Sequence, residues 1–220
     1  MLPTMRKQAF LAYTVACLIV FGALPAVHAQ LASRPAEEWK KTLEQASRVD
    51  NLKVDEIVMR VALKPGQVVA DLGAGTGLFS VPLAKAVGST GRVYAVEIDK
   101  GFFPQITEKA SQQHLANVST VLGEFTDPKL PARDVDLAFM HDVLHHVQDR
   151  ATYLKNAARY LKPSGRFVVV DYQAAQSPHK DQPDLVVSEE QAIGWMKAAG
   201  LGKVERVPLF PDKYFLIFSR

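Results

Sequence analysis

Five residues between positions 71 and 97 have the types and spacing of a nucleotide-ligand site. Asp71 closes the apolar run Val68-Val69-Ala70. Gly73, Gly75 and Gly77 follow at alternate positions, with Ala74 between the first two, and Glu97 stands twenty residues beyond Gly77 at the end of a second apolar run. Glycines at such a turn let the backbone take positive φ and bring main-chain N–H groups to a ligand. A carboxylate at a strand end can accept hydrogen bonds from sugar hydroxyls, and its charge makes them strong. A dinucleotide fingerprint, G-x-G-x-x-G, would put glycine at position 78; leucine stands there, and Gly77 comes one residue early. The second group is His141, Asp142, His145 and His146 in HDVLHHV, with Asp171 and Tyr172 further on. Histidine beside carboxylate suits general acid–base chemistry, and His141 or Asp142 is the candidate acceptor-side residue. His141 and His145, four apart, also have metal-pair spacing, with Asp142 or His146 as third ligand.

These residues need a frame of strands ending at a common edge. Residues 68–71, 91–99, 117–122, 135–140 and 166–171 read as buried strands. Helical periodicity fills 78–87, closed by Gly88, then 103–114 and 153–161, and a further helix opens with Ser188 and Gln191 in capping-box register and ends at Gly200. Leu63-Lys64-Pro65-Gly66 and Leu161-Lys162-Pro163-Ser164-Gly165 both read as helix stops. Upstream, 39–48 and 54–62 have helical spacing. Residues 173–185 are polar and proline-containing, a loop or lid, and 204–207 with 214–218 suit a terminal β-hairpin-like pair. Such alternation specifies an α/β protein with a mostly parallel sheet covered on both faces, whose ligands bind at the carboxyl ends of the strands.

The glycine turn, Glu97, Gly123-Glu124, VLHHV (143–147) and LKPSGRFVVVDY (161–172) stand in one register. In that pattern the chain resembles the class I S-adenosylmethionine-dependent methyltransferases. It is most similar to the small-molecule enzymes with a methyltransferase 11-type domain, which include quinone C-methylases. The likeness covers about residues 63–172 well and the last forty loosely. It implies a Rossmann-like, doubly wound, seven-stranded sheet in the order 3-2-1-4-5-7-6, the last strand antiparallel. It also implies S-adenosylmethionine as cofactor and a small-molecule methyl acceptor. By the same resemblance Asp71 orients the glycine loop and the ligand's amino-acid portion, and Gly73, Ala74, Gly75 and Gly77 wrap that portion. Glu97 takes both ribose hydroxyls, Ile98 packs on the adenine, and Glu124 and Phe125 lie beside it, although Asp is commoner than Glu at position 124. His141 meets the methionine side. His145 and His146 match a pattern that largely serves local structure, and the family requires no metal, so none is expected. The alternative reading is an exported, non-catalytic module that binds an adenosyl ligand on the same fold.

The chain has 220 residues, 48% hydrophobic and 22% charged, with net charge +3. That is enough for one full core. No Lys/Arg run exceeds two, which speaks against a nucleic-acid partner. Arg6 and Lys7 precede an uncharged apolar stretch over 9–24, then Pro25 and Val27-His28-Ala29, the three-part pattern of a secretory signal cleaved after Ala29. The competing reading is an uncleaved anchor over 9–27, the only membrane contact expected. Either version sends the domain outward, to the periplasm or the medium. The organisation expected is a signal peptide over 1–29, a helical appendage over 30–62 and the methyltransferase-like domain over 63–220. Cleavage removes Cys17, the only cysteine, and with it any disulfide, thiolate nucleophile or cysteine metal site. Export poses a supply problem, since S-adenosylmethionine is made in the cytoplasm. The acceptor and the oligomeric state are not written in these residues.

Overall fold

The computed structural model describes residues 35–220. The signal segment lies outside them, and among the described residues no helix is long and apolar enough to cross a membrane. Seven strands form one sheet: β1 (Val68–Leu72), β2 (Arg92–Glu97), β3 (Val118–Leu122), β4 (Val135–His141), β5 (Leu161–Tyr172), β6 (Lys203–Arg206) and β7 (Lys213–Ser219). Their order is β3-β2-β1-β4-β5-β7-β6. The first five pair in parallel, and β7 runs antiparallel between β5 and β6. This is the order that the resemblance implied.

Both faces of the sheet are buried, because successive side chains alternate between them. On β4, Ala138 and Met140 join one core cluster, with Tyr153, Leu154 and Ala157 of α6 (Arg150–Ala158) and Met196 of α7 (Glu189–Ala198). Leu137 and Phe139 of the same strand join the other cluster, with Leu83 and Val87 of α4 (Ser80–Val87) and Ile57 and Val61 of α3 (Val54–Val61). Two apolar faces per strand are what make the runs in the sequence nearly continuous. Helix α3 therefore shares the core of the sheet. A third, small cluster joins Ala36 of α1 (Ala36–Leu43) to Phe102 and to Ile106 of α5 (Phe103–Gln112), which lays α1 across the carboxyl edge of the sheet.

Three local expectations are corrected. The helix read over 39–48 is two, α1 and α2 (Ala46–Asn51), because Gln45 is extended (φ −57°, ψ 128°) and the Arg48 guanidinium donates to the Leu43 carbonyl at 2.9 Å. The helix read from 78 begins at Ser80, since positions 73–79 are spent on the turn. LKPSG is not a stop between helix and strand: α6 ends at Ala158, and Leu161 already pairs with Val135. The next paired position is Arg166 with Leu137, so the segment bulges from β5. Glycine is required at 165 by close approach, as a Cβ there would stand 2.9 Å from the Val135 carbonyl oxygen. The capping box is present as read, with Ser188 and Gln191 each bonding the other's backbone N–H.

Candidate active site

A cavity of about 590 Å³ opens along the carboxyl edge of the sheet, where strands β2, β1, β4 and β5 end side by side. That volume suits a ligand of cofactor size. Its floor is the turn after β1. Gly73 and Ala74 donate to the Val96 carbonyl at 2.9 and 3.0 Å, and Gly75 donates to Glu97 Oε2 at 3.0 Å. Gly73 has φ +75°, and a Cβ on it would lie 2.5 Å from the Val143 side chain. Gly77 has φ +81°, and a Cβ on it would lie 3.3 Å from the Ile106 side chain of α5. Only glycine satisfies both the dihedral and the space at these two positions. The roof is α1, through Trp39, Thr42 and Leu43, with Arg48 and Leu52 beyond.

Glu97 lines the cavity and is almost fully buried. Oε1 also accepts the Ile98 amide at 2.8 Å and the Asp99 amide at a long 3.4 Å. A carboxylate has about four acceptor positions, and only the Gly75 and Ile98 amides each fill one at ordinary length, so Glu97 retains capacity for two further donors. Burial raises its pKa, and the three amides only partly offset that.

Asp71 is buried behind the turn and outside the cavity lining, where it accepts the Ser80 hydroxyl at 2.5 Å at the start of α4. Burial, opposed by that hydrogen bond and assisted by the nearby Glu97 charge, lifts its carboxyl to about 7. The folded chain thus holds this proton to higher pH than the unfolded chain, whose carboxyl titrates near ~3.9. The resulting stability is fully present below that value and is lost as pH rises through about 7. Wild type is expected to resist urea better at pH 5 than at pH 7.5, by up to about 1.4 kcal/mol for each pH unit the proton spans. Glu97 acts in the same direction, so the comparison that isolates Asp71 is with Asp71→Asn, whose dependence should be flatter. Equal slopes would refute the assignment.

Ala74, Gly75, His141 and Asp142 line the cavity with Gly73 and Glu97, whereas Gly77, Ile98, Glu124 and Phe125 do not. Residues 123–127 curl into a turn, with the Glu124 amide donating to the Asp127 carbonyl at 2.8 Å. The Glu124 carboxylate faces outward to Lys129 at 3.2 Å, and Phe125 is 53% exposed. Ile98 is half-buried next to Glu97.

At the end of β4 the His141 ring packs against Phe79 at 4.7 Å between centroids, and its buried Nε2 has no protein partner. Burial pushes its pKa down to about 4, so the ring is neutral near pH 7. Asp142 has φ +54° and binds Lys213 of β7 through both oxygens, at 2.7 and 2.8 Å. Arg48 of α2 approaches it to 3.5 Å. Burial opposes ionisation, but His141, Lys213 and Arg48 together hold its carboxyl below the ordinary range. Asp142 is therefore a fixed anion.

Beyond β4, the His145 ring Nδ1 lies 2.6 Å from Asp171 Oδ1, and the His145 amide donates to Asp171 Oδ2 at 3.1 Å. Arg150 caps the turn by donating to the Leu144 and His145 carbonyls. The 173–185 segment, with 3₁₀ turns at Ala174–Gln176 and Pro183–Leu185, brings Pro178 and His179 to the cavity rim beside Tyr172. Burial and the neighbouring His145 and His179 push the His146 pKa to about 3, and burial and His145 lower that of His179. Lys213, Arg48 and His179 were not singled out from the sequence. They reach the site from distant elements, and no local spacing marks them.

A family model described as a methyltransferase domain matches residues 70–169, the stretch from β1 to β5. A solved S-adenosylmethionine-dependent methyltransferase from Aquifex aeolicus is 25% identical and superposes with a TM-score of 0.74, over 82% of this chain and 96% of that one. The chain contains a class I S-adenosylmethionine-dependent methyltransferase domain. A demethylmenaquinone methyltransferase of Geobacillus sp. (strain WCH70) is 28% identical to it over 53% of this chain and 50% of its own. An uncharacterized 37.1 kDa protein in transposon TN4556 of Streptomyces fradiae is 34% identical, over 66% of this chain and 42% of its own. The chain thus spans half or less of the length of these two curated relatives. The cofactor of such a methyltransferase domain is S-adenosylmethionine, and the residues present fit it. The cavity has the size, Gly73 leaves a side-chain-free approach to the turn, Glu97 has free acceptor capacity, and His141 Nε2 is a buried, unpaired polar atom.

Proposed function

We propose that the chain is a methyltransferase that moves a methyl group from S-adenosylmethionine to a small-molecule acceptor. The quinone-type acceptor of the menaquinone relative is the nearest chemical guide. The observation that carries this reading is the cavity floored by the Gly73–Gly75 turn, with the buried Glu97 bonded to the Gly75 amide. When bound, S-adenosylmethionine supplies a methyl group on a sulfonium, which passes to the acceptor's nucleophilic atom as the carbon–sulfur bond breaks. The chain's task is alignment. Glu97 accepts hydrogen bonds from the ribose, the turn receives the amino-acid portion, and His141 faces the methionine side. Asp142, fixed by Lys213 and Arg48, presents an anionic wall between donor and acceptor ends. Trp39 and Leu43 of α1 wall the site on the side opposite the turn.

Calorimetry with S-adenosylmethionine and its demethylated product tests the reading: saturable binding of both is expected, and no binding of either refutes it. With an acceptor identified from a panel of quinols, His141→Ala and Asp142→Ala should both slow turnover. Unchanged turnover in both removes those two residues from the site. Binding without turnover of any acceptor would favour the non-catalytic alternative. We further propose that residues 1–29 export the domain, on the strength of the charged, apolar and Val-His-Ala segments in the sequence. Fractionation of a C-terminally tagged full-length chain should place it outside the cytoplasm at the size of the cleaved form. Retention in the soluble cytoplasmic fraction would refute export.

A further inference from the structure

His145, His146 and His179 each offer a ring nitrogen, and the three nitrogens lie within 4.8 Å of one another. Ring centroids are 4.0 Å apart for His145 and His146, 5.2 Å for His145 and His179, and 5.6 Å for His146 and His179. The three imidazoles stand together with no carboxylate between them. A carboxylate sits behind the cluster: Asp171, itself buried, engages His145 Nδ1 at 2.6 Å, so Nε2 is the ring nitrogen turned to other partners. A carboxylate behind a histidine fixes the ring's tautomer and orientation, and metal-ligating histidines characteristically have such support. Independently, His146 Nδ1 is buried and has no hydrogen-bond partner. All three histidines line the cavity, on the β4–β5 side, away from the glycine turn and Glu97.

We propose that His145, His146 and His179 form a binding site for a zinc-like divalent transition metal, with a coordination position open to the acceptor end of the cavity. Three imidazoles and one open position are the donor set of a catalytic rather than a structural zinc site. Zinc–nitrogen bonds of about 2.1 Å in a tetrahedron need nitrogens about 3.4 Å apart. The triad must therefore close by at most about 1.4 Å, and His179 is the member placed to do so, being on the 173–185 segment rather than in the 144–146 turn that Asp171 and Arg150 hold. A metal held there would offer its open position to a donor atom of the acceptor, and it would favour ionisation of a phenolic or enolic hydroxyl. This departs from the metal-free expectation and from the His141–His145 pairing read in the sequence. His141 faces Phe79 and Asp142 instead.

The inference rests on the methyltransferase reading only for naming the acceptor end. Metal uptake is measured without methyl donor, so the two can fail separately. The test is calorimetric titration of the chelator-treated full chain with Zn²⁺, repeated with Co²⁺ to record the visible bands of a tetrahedral site. One metal per chain is expected. His179→Ala and His146→Ala should each weaken binding roughly tenfold or more, and Asp171→Asn by a similar factor. His114→Ala, outside the cavity, should leave binding unchanged. His179 is half-buried on a loop, so its loss does not threaten folding. Absence of saturable uptake by wild type, or a His179→Ala variant that binds like wild type, overturns the proposal.

Discussion

Glu97→Ala is expected to lower the affinity for S-adenosylmethionine roughly a hundredfold or more, and Glu97→Gln roughly tenfold. A hydrogen bond to a charged group is worth about 1.5–3 kcal/mol. Two ribose hydroxyls on one carboxylate therefore amount to at least about 3 kcal/mol, or roughly a factor of 100. The alanine variant also leaves the Gly75 amide without its acceptor, so the glycine turn loses the bond that ties it to β2. Glutamine keeps an acceptor oxygen for that amide, although it loses the charge and turns its NH2 group toward the Ile98 amide that Oε1 accepts, so its effect is smaller than that of alanine. Calorimetry with the methyl donor measures both. Circular dichroism should show native secondary structure in the glutamine variant, since the Gly73 and Ala74 bonds to Val96 remain. An alanine variant binding within threefold of wild type would show that Glu97 serves only the turn.

The second large effect concerns stability. Lys213→Met is expected to destabilise the chain by about 3 kcal/mol, near the lower end of the cost of leaving a buried charge unpaired. Lys213 holds both oxygens of Asp142, and the two side chains are 5% and 9% exposed. Arg48 stays at 3.5 Å and limits the loss. Asp142 also sits at positive φ, a conformation that costs a non-glycine residue energy and needs outside support. The double variant Lys213→Met with Asp142→Asn should recover most of the stability, because no charge is then stranded. The pair has a defined acid limit: Asp142 is held below the ordinary carboxyl range, so its contribution is present above about pH 3.9 and is lost as pH falls through the lower folded value. Urea unfolding of wild type, Lys213→Met, Asp142→Asn and the double variant at pH 7 measures the cycle. A single variant costing less than about 1 kcal/mol would mean that Arg48 alone neutralises Asp142.

The parts of the site legible in the sequence are those made by consecutive residues. The 73–77 turn needed glycines for its own backbone, so its spacing appeared in the sequence. Glu97 ends a strand beside it, and the parallel register of β1 with β2 brings it to Gly75. His141 and Asp142 follow β4, whose register with β1 places them next along the same edge. Glu124 and Phe125 lie outside the cavity lining. They follow β3 in the expected register, but the turn to Asp127 carries their side chains outward, and such a turn depends on bonds that spacing does not reveal. LKPSG reads as a helix stop by composition, yet its backbone belongs to the sheet because Leu161 finds Val135.

By itself, then, the sequence determined the strand–turn–helix unit, the five parallel strands and the placing of Gly73, Gly75 and Glu97 together at the cavity floor, because both-face burial and positive-φ turns constrain residue type locally. Tertiary structure alone decided what gathers around the residues that follow β4. Arg48 from α2, Lys213 from β7 and His179 from a loop converge on the ends of β4 and β5. Each contributes one charge or ring across a long sequence separation. A single polar side chain at the end of its element leaves no period or motif, and only the folding of those elements onto one sheet edge gives it a partner.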